Sequence, residues 1–276
     1  MQLKFTKMHG AGNDFVVIDL ISQLCHLRPS HIRLLADRHL GVGCDQVLVV
    51  EAPRHPDIDF QYRIYNADGQ EVEQCGNGAR CFARFVRDKK LTAKRIITVE
   101  TSSGILELRV RGNNEVEVDM GTPELEPRNI PYAALHRALS YSMIVENQAL
   151  EIGAVSMGNP HAVLRVEQVD TADVQGLGSK LESHCDFPKG VNVGFMQIMS
   201  ESEIKLRVFE RGAGETLACG TGACAAVVYG IMQGWLRHVV TVCLPGGKLT
   251  VSWEGEGQPV TMTGPTATVF EGNIRI

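Results

Sequence analysis

The chain repeats itself, and that limits its architecture more than any other feature. Residues 75–79 read CGNGA and residues 219–223 read CGTGA, 144 positions apart. At the same spacing Glu71 matches Glu215, Arg63 matches Arg207, and the strand-like RIY of 63–65 matches RVF of 207–209. Gly12-Asn13 matches Gly158-Asn159 at a spacing of 146, while Gly104 with Gly247 and Gly121 with Gly264 pair at 143. Short loop insertions produce this drift, and matches that keep their order are what a duplication leaves behind. The 276 residues make two halves of about 140, each long enough to bury a core. Two such halves are expected to pack about a pseudo-twofold axis with matching elements facing each other.

Within each half the pattern reads as strands, one helix, then more strands. The segments 15–20, 46–51, 59–66, 95–101, 105–111 and 115–120 are β-branched or alternating and bounded by Gly, Asn and Asp. The helix following Cys75, GNGARCFARFVRDKK, places Ala79, Phe82 and Val86 on one face. Arg87, Lys89 and Lys90 lie at its C-terminus, where cations suit the helix dipole. Its counterpart, GTGACAAVVYGIMQGWL, is apolar almost all round and is expected to be buried. A shorter outer helix is expected within 21–40, restarting after Pro29-Ser30. The proline-containing stretch 121–133 is the best candidate join between the halves. The fold class is therefore α+β: two pseudo-symmetric halves, each a strand-rich sheet or barrel wrapped around a central helix. The expected division is 1–118 plus 265–276 against 119–264, the last segment returning to complete the first half.

Composition removes several classes of function. Hydrophobic residues make up 44% and charged residues 21%, an ordinary globular profile. The net charge of −5 is scattered, and no basic block interleaved with aromatics invites nucleic acid. Lys4, Lys7 and Asp14 interrupt the apolar run that a signal peptide needs, and Cys224–Met232 is too short to span a bilayer. The expected location is cytoplasmic, away from membranes. There the eight cysteines are thiols, with no C-x-x-C and no zinc spacing, so no metal is expected.

Cys75 and Cys219 stand out because each immediately precedes a glycine-rich helix start. Free N–H groups and the positive dipole end favour a thiolate there and can also hold a carboxylate. Duplication supplies this twice, on helices expected to point at a common point, giving two opposed thiols flanking a small anion. A base on one face of a carbon and an acid on the other is what inversion of a stereocentre requires. A thiol with a modestly lowered pKa serves either role. Without an electron sink, N–H dipoles on the carboxylate must stabilise the carbanion. One CGxGA alone could be a tight helix start with a buried cysteine; two at matched positions are hard to read that way.

HGAGNDF (9–15), GVGCDQ (41–46), NADGQEVEQCGNGARC (66–81), SMGNPH (156–161), GVNVGF (190–195) and ERGAGETLACGTGACA (210–225) occur in that order. PGGKL (245–249) and TGP (263–265) follow. In these motifs the chain resembles the diaminopimelate epimerases. The resemblance implies a diaminopimelate epimerase-like fold and epimerisation of LL- to meso-diaminopimelate without cofactor, in lysine and peptidoglycan precursor biosynthesis. It also implies a homodimer. Cys75 and Cys219 would be the acid–base pair, and the backbone N–H groups of Gly76, Asn77, Gly220 and Thr221 would hold the reacting carboxylate. Asn13, Asn66, Asn159, Asn192 and Arg211 would contact the substrate, mainly at its far end. Gln46 would line the site, and His161 and Glu210 would assist or tune the thiols. Cys44, Cys81 and Cys224 read as core.

Four rival readings are weighed against this one. No G-x-G-x-x-G follows a strand and GGKL lacks the Lys-Ser/Thr ending of a P-loop, which speaks against a nucleotide enzyme. A cysteine hydrolase built on Cys219 and His161 would leave Cys75 idle. A relative acting on proline or hydroxyproline shares the two-cysteine plan, but its substrate has no second charged end. A non-catalytic amino-acid-binding module would need no thiols.

Overall fold

The computed structural model describes residues 2–72, 76–102, 104–112 and 115–276. The chain divides into two compact units, Met1–Asp119 with Thr263–Ile276, and Met120–Met262.

In the first unit β1 (Gln2–Gly10) and β2 (Asn13–Asp19) form an antiparallel hairpin. Helix α1 (Pro29–Ala36) follows, and β3 (Gln46–Glu51) then pairs parallel to β2 with Gln46 opposite Phe15. Strand β4 (Phe60–Asn66) lies antiparallel to β3 and carries the two-residue β5 (Glu71–Val72) at its end. Helix α2 (Gly76–Asp88) crosses over to β6 (Ile96–Thr101), which runs parallel to β4, and β7 (Gly104–Val110) and β8 (Glu115–Asp119) meander antiparallel from it.

The second unit opens with the hairpin β9 (Tyr141–Val145) and β10 (Gln148–Ser156), then follows the same plan. Strand β11 (Pro160–Arg165) pairs with β10. Helix α3 (Val174–Glu182) leads to β12 (Asn192–Ser200), parallel to β11 with Asn192 opposite His161. Strand β13 (Glu203–Glu210) and the short β14 (Gly214–Thr216) precede α4 (Gly220–Met232). Strand β15 (Val239–Leu244) returns parallel to β13, followed by β16 (Gly247–Trp253) and β17 (Val260–Pro265). The final strand, β18 (Ala267–Arg275), belongs to the first unit, where it pairs antiparallel with β1.

The duplication is thus preserved down to register. Ile64 faces Val72 in the first unit as Val208 faces Thr216 in the second. Arg63 forms a two-pronged ion pair with Glu71 at 2.9 and 2.7 Å, and Arg207 forms its twin with Glu215 at 2.6 and 2.9 Å. Gly12 (φ 88°) and Gly158 (φ 90°) occupy the left-handed region that a side chain disfavours, each turning the chain into its asparagine.

Crossover connections put helices against the sheets, so the parallel strands are buried on both faces. Val47 and Val49 of β3 share a core with Ile32 and Leu35 of α1, while Leu48 approaches α2 at Gly78. Helix α4 is apolar around its circumference and is buried from Ala223 through Gly230. Its Tyr229 ring packs on the bare Cα of Gly153 in β10, where a Cβ would fall 2.2 Å from the ring. Gly153→Ala is expected to lower unfolding free energy by about 1–3 kcal/mol, read from the urea midpoint. An unchanged midpoint would mean that the ring is free to move.

One expectation needs correction. Residues 21–28 are not helical, and α1 begins at Pro29. Proline suits the first helical position but drives the residue before it out of helical geometry, and Arg28 is extended. The stretch 121–133, expected as the join between the halves, begins beside the boundary between the units, and its Ile130 and Tyr132 are buried in the core of the second unit. Among the described residues, no helix is long and apolar enough to cross a membrane.

Candidate active site

The second unit gathers its candidate residues at the start of α4. Cys219 occupies the N-cap in extended conformation and is 4% exposed. Its thiol donates to Glu210 Oε2 at 3.1 Å and lies 3.6 Å from the Thr221 hydroxyl. The other oxygen of Glu210 accepts from the Thr216 hydroxyl at 2.5 Å. A Cβ on Gly222 would stand 3.3 Å from the Cys219 sulfur and 3.1 Å from Val208, so a side chain there would crowd the thiol.

This environment reverses one expectation. Burial first, and the Glu210 carboxylate second, push the Cys219 thiol well above its ordinary value. The Thr221 hydroxyl and the Gly222 N–H pull the other way without prevailing. Cys219 is therefore a protonated thiol, not the thiolate that a helix N-terminus alone would favour. Desolvation and a neighbouring anion outweigh the dipole.

A second chain of contacts reaches Cys219 from β11. His161 Nε2 lies 3.0 Å from Asn159 Oδ1, and Asn159 Nδ2 donates to Thr221 Oγ1 at 3.4 Å. If the Asn159 amide donates through Nδ2, its Oδ1 must accept, which assigns the Nε2–H tautomer to His161. The imidazole is 1% exposed, and burial, then the Arg211 charge, push its pKa down to about 3. It is neutral at working pH and hydrogen-bonds the Asn159 amide. Asn192 is a brace: Nδ2 donates to Pro160 O and Oδ1 accepts from Arg211 N, both at 3.0 Å. The exposed Arg211 side chain donates to Lys189 O at 2.8 Å. Gly220 and Thr221 supply first-turn N–H groups, which have no acceptor within their own helix.

The first unit repeats the arrangement with different side chains. Asn77 Nδ2 donates to Asn13 Oδ1 at 3.3 Å, the counterpart of the Asn159–Thr221 contact. Gln46 Nε2 donates to Asn66 Oδ1 at 2.9 Å, and the buried Gln46 Oε1 has no partner among the described residues. Gly76 and Asn77 open α2 and are buried. Cys75, expected to complete this half, lies outside the described residues.

Several residues at these sites escape a sequence reading. Asp45 accepts from Asn13 Nδ2 at 2.8 Å and is bridged to Asp14 by Arg38. Burial opposes a charge on Asp14, but Arg38 and Lys7 outweigh it and hold that carboxyl well below the usual range. Arg80 is fully buried, donating to Asn77 Oδ1 at 2.8 Å. For Asp14, Asp45 and Arg80 the only signal in the sequence is a place inside the motifs at 9–15, 41–46 and 66–81. Cys44, Cys81 and Cys224 are buried as core residues, and burial pushes the Cys44 thiol up to about 12.

The fold is one that a solved amino-acid epimerase also adopts. A hydroxyproline epimerase from Agrobacterium vitis superposes with TM-score 0.71 over 99% of this chain and 92% of its own, at 14% identity, a likeness of fold alone. Among sequence relatives, a diaminopimelate epimerase from Ectopseudomonas mendocina is 61% identical across the whole of both chains. One from Pseudomonas aeruginosa is 60% identical, also end to end. The family model described as diaminopimelate epimerase matches residues 5–126 and 153–269. The chain belongs to the diaminopimelate epimerase family.

Proposed function

We propose that this enzyme interconverts LL- and meso-2,6-diaminopimelate by two-base catalysis with Cys75 and Cys219, in lysine and peptidoglycan precursor biosynthesis. The observation that carries the reading is the protonated Cys219 thiol pinned between Glu210 and Thr221 at the start of α4. A protonated thiol is the acid half of such a pair, so Cys75 serves as the base. In the forward step the Cys75 thiolate takes the α-proton and Cys219 delivers its own to the opposite face. One C–H bond breaks and one forms, leaving Cys75 a thiol and Cys219 a thiolate. The Thr221 hydroxyl and the Gly222 N–H then stabilise the new thiolate, and the reverse reaction starts from that state.

The α-proton of an amino acid is weakly acidic, so the carbanion needs fixed donors on its carboxylate. In this reading the first-turn N–H groups of Gly76, Asn77, Gly220 and Thr221 provide them. Asn13, Asn66, Asn159, Asn192 and Arg211 serve the distal end, and the free Gln46 oxygen can accept from an ammonium. Arg211 would leave Lys189 to pair with a carboxylate, a stronger partner for a guanidinium than a carbonyl. The enzyme needs no pyridoxal phosphate or metal in this scheme and works as a cytoplasmic homodimer.

The test is incubation with a single diaminopimelate stereoisomer in D₂O. Inversion with deuterium at the α-carbon is expected, and proline enantiomers should not interconvert. Retention of configuration without deuterium would identify a binding module. Faster turnover of proline or hydroxyproline would move the chain's activity to that substrate class.

A further inference from the structure

We propose that Thr216 is a positioning residue for the reaction, acting through Glu210 on the Cys219 thiol. The inference rests on the reading of Cys219 as an acid–base group. Its geometry is a three-membered relay in the second unit: Thr216 Oγ1 donates to Glu210 Oε1 at 2.5 Å, and Cys219 Sγ donates to Glu210 Oε2 at 3.1 Å. A carboxylate on a flexible side chain has several rotamers available. Anchoring one oxygen to a strand-borne hydroxyl leaves the other aimed at the sulfur.

The duplication indicates that the relay was built for this half alone. Thr216 and Val72 occupy equivalent places, opposite Val208 and Ile64 in the two short ladders β13–β14 and β4–β5. Glu210 stands where the first unit has Asn66, by the same spacing of 144 residues. The backbone register is common to both, yet only the second unit carries a carboxylate, and the same unit carries the hydroxyl that holds it. A threonine chosen only to fill a strand position would have no reason to differ from valine there. Its hydroxyl lies instead at a short, charge-assisted distance from the group that keeps Cys219 protonated.

The first repeat also supplies the substitution for a test, since Thr216→Val is nearly isosteric and installs the residue of the equivalent position. T216V is expected to lower kcat for diaminopimelate inversion by about tenfold or more, the scale of losing one hydrogen bond to a charged group, with KM nearly unchanged. T216S, which keeps the hydroxyl, should recover most of that loss. In an E210Q background T216V should cost little more, because the carboxylate it positions is gone. A substrate-free readout is the infrared S–H stretching band of Cys219, isolated as the difference between the parent and C219S. With the Thr216 donor removed, the carboxylate becomes a stronger acceptor, so the band should move to lower frequency in T216V but not in T216S.

Parental kcat in T216V, an equal loss in T216S, a fully additive loss with E210Q, or an unmoved thiol band would each overturn the proposal. If the parent itself fails to invert diaminopimelate, the proposed function falls, while the thiol band still decides whether Thr216 acts through Glu210.

Discussion

Cys219→Ser is expected to all but abolish inversion of diaminopimelate, lowering kcat by about 10²–10⁴-fold, the contribution of a well-placed acid–base group. The substitution is close to isosteric, and residue 219 is buried at a helix start where a hydroxyl can also donate to Glu210. Folding should therefore survive, and near-ultraviolet circular dichroism should match the parent. What is lost is chemistry: once a serine hydroxyl has given up its proton it is an alkoxide, far more basic than a thiolate. Beside a carboxylate and cut off from water, that alkoxide is less accessible still. Substrate affinity should change little, because the carboxylate is assigned to backbone N–H groups that the substitution leaves alone. A variant with more than a tenth of parental kcat would remove Cys219 from the acid role. A large rise in KM at constant kcat would make it a binding residue instead.

The sequence made the plan of the molecule legible because the plan is written twice. A spacing near 144 predicts matched helices after matched strands, and β4–β5–α2 and β13–β14–α4 realise it. Duplication also explains why α4 could be recognised as buried: it is apolar on every side, whereas α2 carries charged residues on one face. The proline-bearing stretches were harder to read. Pro29 marks a true helix start, but the prolines at 123, 127 and 131 sit in a segment whose Ile130 and Tyr132 are core. Breaker residues show where regular structure stops, not whether the chain beyond is buried.

At the candidate site, residue types were legible and charge states were not. Two cysteines at helix starts suggest two thiolates by the dipole alone. The structure holds one of them as a thiol because its burial and the nearness of Glu210 arise from β13 folding back beside α4. No local pattern encodes that approach. The same holds for Asp45 and Arg80, each of which fixes an asparagine amide through a tertiary contact. Repeat-breaking positions offer a partial remedy: Asn66 against Glu210, and Val72 against Thr216, mark where the halves were set to different tasks.

The neutral imidazole of His161 makes a second large effect, this time on stability. Burial, then the Arg211 charge, hold its folded pKa near 3, whereas an unfolded histidine titrates at about 6.5. Well above a pH of about 6.5 neither state carries the proton, and the contribution to stability is complete. As pH falls, the unfolded chain takes up a proton that the folded one refuses, so unfolding is favoured at about 1.4 kcal/mol per pH unit until the folded pKa is reached. Over the drop from about pH 6.5 to 5 the loss amounts to roughly 2 kcal/mol. Asp14 adds to acid lability only further down, since its contribution is lost below the ordinary carboxylate pKa of about 4. Urea unfolding midpoints measured through this window should fall in the parent. In His161→Gln, whose amide can still donate to Asn159, the slope should flatten even if the variant is less stable at neutral pH. Equal slopes in the two proteins would mean that the folded state accepts the proton readily. His161 would then be free to exchange protons during turnover instead of only hydrogen-bonding Asn159.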